Sequence, residues 1–283
     1  MRNYLLGLYE KSMPNDLSIR KKLSIARESD FDFLELSIDE TDAKLARLNW
    51  APEEWGLVRQ AVQATGVPIG SICLSAHRKY PLGDPDPAIR ARSLEIMAQA
   101  IDLAVALGAR LIQLAGYDVY YKESTPETRA LFASNLKRCV ELASAKGVVL
   151  AFETMETPFL DTVEKAMYWV EQIQSPYLQV YPDAGNITNA NLLYGDDLED
   201  DLRKGRGHIA ALHLKETRPG IYREVPYGTG HVDFDAVTKT AFSLGVRRYL
   251  AEFWYIGQTG WREDIAANAR FLRKFLNQNQ LFY

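Results

Sequence analysis

Cysteine and histidine are scarce in this sequence and basic residues are not in excess, and each of these features disfavours a class of protein. With only Cys73 and Cys139, both in apolar segments, a disulfide-stabilised secreted scaffold is disfavoured and a reducing compartment is favoured. Four histidines are too few for clustered zinc nucleases, which also need a basic face. The net charge of -4 supplies no general basic field, so neither nucleic acid nor an anionic membrane is expected as a partner.

A signal peptide is also missing from the start of the sequence. The stretch Met1–Tyr9 is too short, and too soon interrupted by Glu10 and Lys11, to serve as one. Hydrophobic residues at 47% and charged residues at 25% are typical of a soluble globular protein, which disfavours disordered, fibrous and membrane classes. We therefore expect a cytoplasmic globular protein.

Short apolar runs of strand length alternate with longer amphipathic runs along nearly the whole chain. This alternation is typical of repeated strand and helix units, which build a parallel sheet. The predicted strands are Tyr4–Tyr9, Phe31–Ser37, Pro68–Leu74, Arg110–Leu114, Val148–Glu153, Leu178–Tyr181, a seventh that begins at Ala211, and Arg248–Phe253. The predicted helices are a segment from Ser18, then Pro52–Thr65, Ala88–Leu107, Glu127–Lys146, Thr162–Gln174, Phe234–Leu244 and Asp264–Leu276.

About eight such units in 283 residues predict an α/β fold, the (β/α)8 TIM barrel, for which about 250 residues are typical. An open doubly wound sheet is the main alternative. It is weakened because no G-x-G-x-x-G or P-loop glycine pattern follows a predicted strand. No linker, low-complexity tract or change in composition divides the chain, so we predict a single domain over residues 1–283.

The seventh strand, at the start of Ala211–Arg218, supplies the first candidate functional residue. Successive side chains of a strand point to opposite sides, so His213 and Lys215 share one face. In a parallel barrel, the carboxyl ends of the strands form the active-site face. We therefore predict that His213 is a metal ligand.

Three other strand ends carry acidic residues: Glu153 after the fifth strand, Asp183 after the sixth and Glu252 in the eighth. Consecutive strand ends converge on one side of a barrel mouth, so these side chains can meet His213. Three carboxylates and one imidazole suit one divalent ion, Mn, Mg, Co or Zn, with Zn less typical of an oxygen-rich set. A helix cap or a solvated charge is the alternative for any one of them.

Glu153 and Glu252 each end a strongly apolar strand, where an unpaired charge is costly unless it is ligated or paired. Two carboxylates on opposite sides of a bound carbohydrate can remove a proton from one face of a carbon and return one to the other. A metal at the adjacent carbonyl would stabilise the enediolate as a Lewis acid. This arrangement indicates an epimerase.

Seven short strings of residues are spread over almost the whole chain: Gly7-Leu-Tyr-Glu-Lys11, Leu36-Ser-Ile-Asp-Glu-Thr41, Cys73-Leu-Ser-Ala-His-Arg78, Gln113-Leu-Ala-Gly-Tyr-Asp-Val-Tyr-Tyr121, Tyr181-Pro-Asp-Ala-Gly-Asn186, His213-Leu-Lys-Glu-Thr217 and Val225-Pro-Tyr-Gly-Thr-Gly230. Together they resemble the bacterial L-ribulose-5-phosphate (L-xylulose-5-phosphate) 3-epimerases of L-ascorbate and L-xylulose utilisation. That family lies within the xylose-isomerase-like barrel superfamily.

The resemblance implies metal-dependent interconversion of L-ribulose 5-phosphate and L-xylulose 5-phosphate. It places the metal ligands on Glu153, Asp183, His213 and Glu252, with Glu153 and Glu252 also serving as the acid/base pair. Related epimerases of free ketoses tend to carry histidine three residues after the ligand aspartate, where this chain has Asn186. Asn186 therefore favours a phosphorylated substrate, unless it is only a turn residue.

A ketose phosphate needs positive charge at the mouth of the barrel. Five basic residues follow predicted strands and are candidates for substrate binding, with Asn186 as a sixth, polar candidate, although each basic residue could instead be a solvated surface charge. The five are Lys11, His77, Arg78, Lys215 and Arg218.

Three other functions stay open at this point. A free-ketose 3-epimerase or an aldose-ketose isomerase on the same metal would act without a phosphate, and a non-catalytic barrel would bind a sugar phosphate for regulation. An oligomeric state is not readable from the pattern, and a homodimer is the working expectation.

Overall fold

A parallel sheet of eight strands lies at the centre of the fold in the computed structural model, which describes residues 2–282. The strands are β1 Leu5–Tyr9, β2 Phe33–Ile38, β3 Ile69–Leu74, β4 Leu111–Ala115, β5 Val149–Glu153, β6 Leu178–Val180, β7 Leu212–Leu214 and β8 Arg248–Ala251. Most of their side chains are apolar and buried, as expected for a parallel sheet that helices cover.

The sheet closes on itself. Its strands follow the order β6-β5-β4-β3-β2-β1-β8-β7, and every pairing is parallel. The two ends of this order are joined by parallel bridges from Val180 to Ile209 and from Asp183 to His213. The predicted (β/α)8 TIM barrel is therefore confirmed.

Helices separate the strands and surround the sheet, and the main hydrophobic core lies between the two layers. The helices are α1 Ile19–Glu28, α2 Asp42–Leu45, α3 Pro52–Thr65, α4 Pro87–Leu107, α5 Pro126–Ala145, α6 Val163–Ile173, α7 Ala184–Tyr194, α8 Leu198–Lys204, α9 Phe234–Ser243 and α10 Trp261–Asn279. As expected, α4 ends at Gly108, whose φ of 80° is open to glycine without strain. No helix among residues 2–282 is long and apolar enough to cross a membrane.

A second, smaller cluster fills the barrel interior with inward-facing side chains, among them Phe33, Leu111, Ala151, Ala211 and Leu250. Phe33 fits there because Gly7 leaves room, since a Cβ on Gly7 would lie 2.2 Å from the phenyl ring.

Side chains two residues apart in a strand point to the same side, so the residues two positions after these also face the barrel interior. The inward residues of the next layer are polar: Glu35, Gln113, Glu153, His213 and Glu252. The barrel thus carries a polar layer above an apolar one, at the carboxyl ends of its strands.

The sequence analysis assigned no helix between the sixth and seventh strands, where the structure has two. Helix α7 begins directly after Asp183, and α8 follows it. The Asp183 side chain accepts a hydrogen bond from the backbone N–H of Asn186 at 2.6 Å and so caps α7. Asn186 is therefore a helical residue in the first turn of α7 and not a turn residue.

Candidate metal centre

Four side chains from consecutive strand ends meet at the carboxyl end of the barrel, as predicted. Glu153 ends β5, Asp183 follows β6, His213 lies in β7 and Glu252 follows β8. Each is buried, and each offers one donor atom such that all four donors lie within 4.8 Å of one another.

The imidazole lies among the carboxylates of this cluster. The distances from its Nδ1 are 3.0 Å to Glu252 Oε2, 3.2 Å to Glu153 Oε1 and 3.8 Å to Asp183 Oδ2. The ring nitrogen and the three carboxylate oxygens are therefore close enough together to bind one ion.

The donor set fits a divalent cation. Asp183 Oδ2 is fully buried and has no hydrogen-bond partner among residues 2–282. Burying a polar atom without a partner destabilises the folded state by about 1–3 kcal/mol, and by more for a charged group. Three carboxylates packed against one another repel, and a cation between them removes the repulsion and supplies the missing partner. Carboxylate and imidazole together suit Mn, Co or Zn as well as Mg, so the donors do not select one metal.

The crowding of charge is visible in the pKa values. Burial raises the pKa of the Asp183 carboxyl, and Glu252 raises it further, against the opposing effect of Lys215. Burial alone would lower the pKa of His213, but the carboxylates of Glu252 and Glu35 outweigh it and raise the pKa well above its ordinary value. The two shifts show that the buried imidazole and carboxylates of the cluster interact strongly with one another.

A second layer of polar side chains holds the four candidate ligands in place. Gln113 on β4 donates to Glu153 Oε2 at 2.5 Å, and Glu35 on β2 lies with its Oε1 3.3 Å from His213 Nε2. Both residues are fully buried. Sequence reasoning missed them, although a single polar residue on the inward side of an otherwise apolar strand was a signal that could have found them.

Lys215 and Asn186 form a buried pair beside the cluster. Lys215 Nζ donates to Asn186 Oδ1 at 2.8 Å and lies 3.1 Å from Asp183 Oδ1, while Asn186 Nδ2 donates to the carbonyl oxygen of Thr154 at 2.7 Å. Burial would lower the pKa of Lys215, but Asp183 and Glu252 outweigh it and raise the pKa. Lys215 is therefore a charged ammonium that faces the cluster.

A cavity of about 60 Å³ opens over the cluster, and a neighbouring cavity of about 220 Å³ shares Lys215, Glu252 and Trp254 with it. Of the predicted site residues, the smaller cavity is lined by Lys11, Arg78, Glu153, Asn186, Lys215 and Glu252. Asp183 and His213 lie beneath it and have no exposed surface.

The cations at the mouth differ in how far they are neutralised. Lys11 lies 2.5 Å from Asp39, and Arg223, which the sequence did not single out, lies 2.6 Å from Glu156. Arg78 stacks on the ring of Tyr120, 4.6 Å from its centroid, and its Nε has no hydrogen-bond partner among residues 2–282. Arg78 is thus the cation best able to accept an anion.

The structure does not bring His77 or Arg218 to the cavity. His77 is buried with its Nε2 3.2 Å from the carbonyl oxygen of Ser93, and burial lowers its pKa to about 4. Its neighbours Ser75 and Arg78 in the same 3-10 helix do line the cavity, because side chains in so tight a turn point in different directions. Arg218 is exposed and donates to the carbonyl oxygen of Thr229 at 3.0 Å.

Comparison with known proteins gives matches over nearly the whole chain. Residues 23–275 match the family described as "Xylose isomerase-like TIM barrel". The L-ribulose-5-phosphate 3-epimerases UlaE of Salmonella typhimurium and Salmonella paratyphi A are 45% and 44% identical over 250 residues, 88% of this chain and 87% of each relative.

A solved structure of D-psicose 3-epimerase with D-tagatose, from Clostridium cellulolyticum H10, has the same fold. It superimposes with a TM-score of 0.80 and covers 96% of this chain and 99% of that chain. Only 15% of its residues are identical, so this similarity bears on the fold alone.

Proposed function

The chain belongs to the L-ribulose-5-phosphate 3-epimerases within the xylose isomerase-like TIM barrels, and on that basis we propose that it interconverts L-ribulose 5-phosphate and L-xylulose 5-phosphate. One observation of the site supports this reaction most strongly. Glu153 ends β5 and Glu252 follows β8, two strands that are separated by β6 and β7, and both side chains line the same cavity.

We propose that Glu153, Asp183, His213 and Glu252 hold one divalent ion. When bound, this ion would polarise the ketose carbonyl as a Lewis acid. The uncompensated oxygen of Asp183 and the mutual crowding of the carboxylates support the assignment.

Inversion at C3 requires two acid/base groups, because the proton leaves from one face of the carbon and returns to the other. One glutamate takes the proton from C3, and the electrons of the C–H bond form the C2=C3 double bond of an enediolate. The other glutamate, protonated, delivers its proton to the opposite face of C3, and the carbonyl re-forms. The two carboxyl groups end with their protonation states exchanged, and exchange with solvent restores them.

The remaining polar residues bind and orient the substrate. Asn186 holds the Lys215 ammonium 3.9 Å from Glu252, where it can donate to a substrate oxygen. We propose Arg78 and Lys11 for the phosphate, since both line the cavity and Arg78 has an unpartnered Nε. The positions of His77 and Arg218 give less support to their predicted role in substrate binding.

We also propose that the protein is a cytoplasmic homodimer and that it acts in L-ascorbate utilisation. The two buried, free cysteines support a reducing compartment. The resemblance of the chain to the epimerases of that route supports the metabolic role, and the ketose phosphate is the partner we expect at the site.

Rates on phosphorylated and free substrates test the proposal. We expect kcat/KM on L-ribulose 5-phosphate to exceed that on free L-ribulose by at least about a hundredfold, as expected if one charge-assisted contact of about 3 kcal/mol is lost. Arg78→Leu should remove most of this difference, whereas Arg59→Leu on the exposed side of α3 should not. Equal rates on the two substrates would contradict the proposal that the enzyme recognises a phosphate, and would favour a free-ketose epimerase or isomerase.

A further inference from the structure

We propose that Glu35 is a positioning residue that fixes the orientation and tautomer of His213, so that Nδ1 is the nitrogen that binds the metal ion. This inference rests on the proposed metal site and adds a residue from a strand that carries none of its ligands. It depends on three features of the barrel interior.

The first feature is the way Glu35 is held. Its side chain has no exposed surface, and its Oε2 accepts a hydrogen bond from the Ser71 hydroxyl at 2.6 Å and lies 3.3 Å from the Tyr181 hydroxyl. Ser71 lies on the neighbouring strand β3, and Tyr181 follows β6 across the barrel. Two hydroxyl groups from different strands thus fix the plane of this carboxylate.

The second feature is the proximity of two buried atoms that lack hydrogen-bond partners. Neither Glu35 Oε1 nor His213 Nε2 has a hydrogen-bond partner among residues 2–282, and the two atoms lie 3.3 Å apart. Burial without a partner is costly for either atom, and a proton on Nε2 directed at Glu35 would give both atoms a partner. Glu35 is an acceptor as a carboxylate, so Nε2 is the donor.

The third feature lies on the opposite side of the ring. When a metal ion is bound and the ring proton is on Nε2, the lone pair of Nδ1 would point to the side of the ring where oxygens of Glu252 and Glu153 lie, at 3.0 Å and 3.2 Å from Nδ1. A lone pair facing anionic oxygens is repulsive, but the same arrangement is favourable when a cation lies between them. Glu35 therefore selects the tautomer that binds metal, as outer carboxylates do in many histidine sites.

The plane of the ring is held as well. The Tyr181 and His213 rings meet edge to face, with centroids 4.5 Å apart and planes at 69°. Tyr181 therefore contacts both the imidazole and the carboxylate, and Glu35, Tyr181 and His213 form one unit beneath the metal centre.

Replacement of Glu35 by glutamine tests this role without a change of size. The amide can donate a hydrogen to Nε2, which would leave the ring proton on Nδ1, where it blocks the metal. We expect Glu35→Gln to weaken binding of Zn²⁺ and Co²⁺ by about 10–100-fold, measured by competition with a chromophoric chelator. Glu53→Gln, the same change at an exposed position of α3, is the control and should leave metal affinity unchanged.

The tautomer itself is measurable by 15N NMR in the unmodified protein, where the four histidines give few signals to assign. In the Zn²⁺-loaded protein we expect His213 to carry its proton on Nε2 and to bind through Nδ1. A proton on Nδ1, with binding through Nε2, would overturn the inference whether or not the Glu35→Gln protein folds.

The failure of this inference is distinguishable from the failure of the metal site. If the unmodified protein binds no divalent ion, the proposed metal-dependent function is itself wrong. If it binds metal and epimerises, but folded Glu35→Gln keeps the same affinity within about twofold, only the role of Glu35 is wrong. The unfolding of each protein in chelator reports whether the variant folds.

Discussion

Gln113 and Glu153 show how single residues prepare this site. Glu153, for which we propose metal binding and proton transfer, lies at the wall of the cavity, and one of its oxygens accepts a hydrogen bond from Gln113 in the neighbouring strand. A carboxylate fixed in this way loses less conformational entropy when the substrate binds and keeps its other oxygen aimed at the centre.

Gln113→Leu should therefore lower kcat more than it weakens substrate binding. The leucine keeps the volume but removes the donor, so Glu153 is no longer oriented, and we expect kcat to fall by about 10–100-fold with a small change in KM. Steady-state kinetics measure both. Gln63→Leu on the exposed side of α3 is the control, and an unchanged kcat in Gln113→Leu would show that Glu153 needs no support.

The four candidate ligands could be predicted from the sequence because each lies at or near the carboxyl end of an apolar strand. Glu35 and Gln113 could not be assigned in the same way, since a polar residue inside a strand points inward or outward according to the register of the barrel. His77 and Arg78 illustrate the same limit in a loop. They are adjacent in the chain, yet Arg78 faces the cavity and His77 packs against the carbonyl oxygen of Ser93.

At the scale of elements, one buried carboxylate holds the loop between β7 and α9 in place through hydrogen bonds. Glu216 accepts hydrogen bonds from the backbone N–H groups of Thr217, Gly228 and Val232, at 3.0 to 3.1 Å. Gly230 packs against this centre so closely that a Cβ would lie 2.1 Å from the Thr217 carbonyl oxygen. The loop carries Arg223 and Tyr227 to the two cavities above the centre.

Gly230→Ala should displace this loop and impair binding of the substrate. We expect KM to rise by about tenfold or more, since a methyl group cannot fit unless the backbone shifts, and overpacking of this kind costs about 1–3 kcal/mol. Gly56→Ala is a matched control in α3, where a Cβ meets nothing within 4 Å, and it should stabilise the protein by about 0.5–1 kcal/mol. An unaltered KM in Gly230→Ala would mean that the loop does not shape the cavity.

The elements were largely predictable, because apolar strands and amphipathic helices alternate with clear glycine and proline boundaries. Helix α7 was the exception. Its residues Ala184–Tyr194 have little amphipathic pattern, and the aspartate before it is both a helix cap and a candidate ligand. Because Asp183 can be interpreted as a ligand at the end of a strand, its second role as the cap of a following helix was not recognised in the sequence.

At the scale of the whole molecule, a buried ion cluster joins the start of the barrel to its outer helices. Glu10, fully buried after β1, accepts from Lys22 of α1 at 2.8 Å, from Lys44 of α2 at 2.6 Å and from Arg47 at 2.6 Å. Burial opposes ionisation of Glu10, but Arg47 and the two lysines outweigh it and hold its pKa well below its ordinary value of 4.5. The ionised form is therefore the one that stabilises the fold.

This cluster predicts a loss of stability in acid. A carboxyl group with a lowered pKa in the folded state contributes its stability above about pH 4.5, and that contribution is lost as the pH falls below this value. Glu10→Gln should cost about 3–5 kcal/mol at neutral pH, because three cations lose their partner, and should reduce the acid dependence. Urea unfolding at a series of pH values from about 3 to about 8 measures both effects.

Exposed Glu53→Gln is the control for this measurement, since it should leave both the stability and its dependence on pH unchanged. A Glu10→Gln protein as stable as the unmodified one would contradict the assigned role of the cluster. The barrel as a whole was predictable from the count of strand and helix units, but this cluster was not, because its members are spread over Glu10–Arg47 and no local pattern connects them.

Solvent deuterium exchange at C3 tests the central claim most directly, that Glu153 and Glu252 act on opposite faces of one carbon. With metal content verified, we expect Glu153→Gln and Glu252→Gln each to lose epimerisation by about 10²–10⁴-fold. One variant should still exchange the C3 proton of L-ribulose 5-phosphate without inversion, and the other that of L-xylulose 5-phosphate. Epimerisation and exchange at the unmodified rate in both variants would contradict the claim.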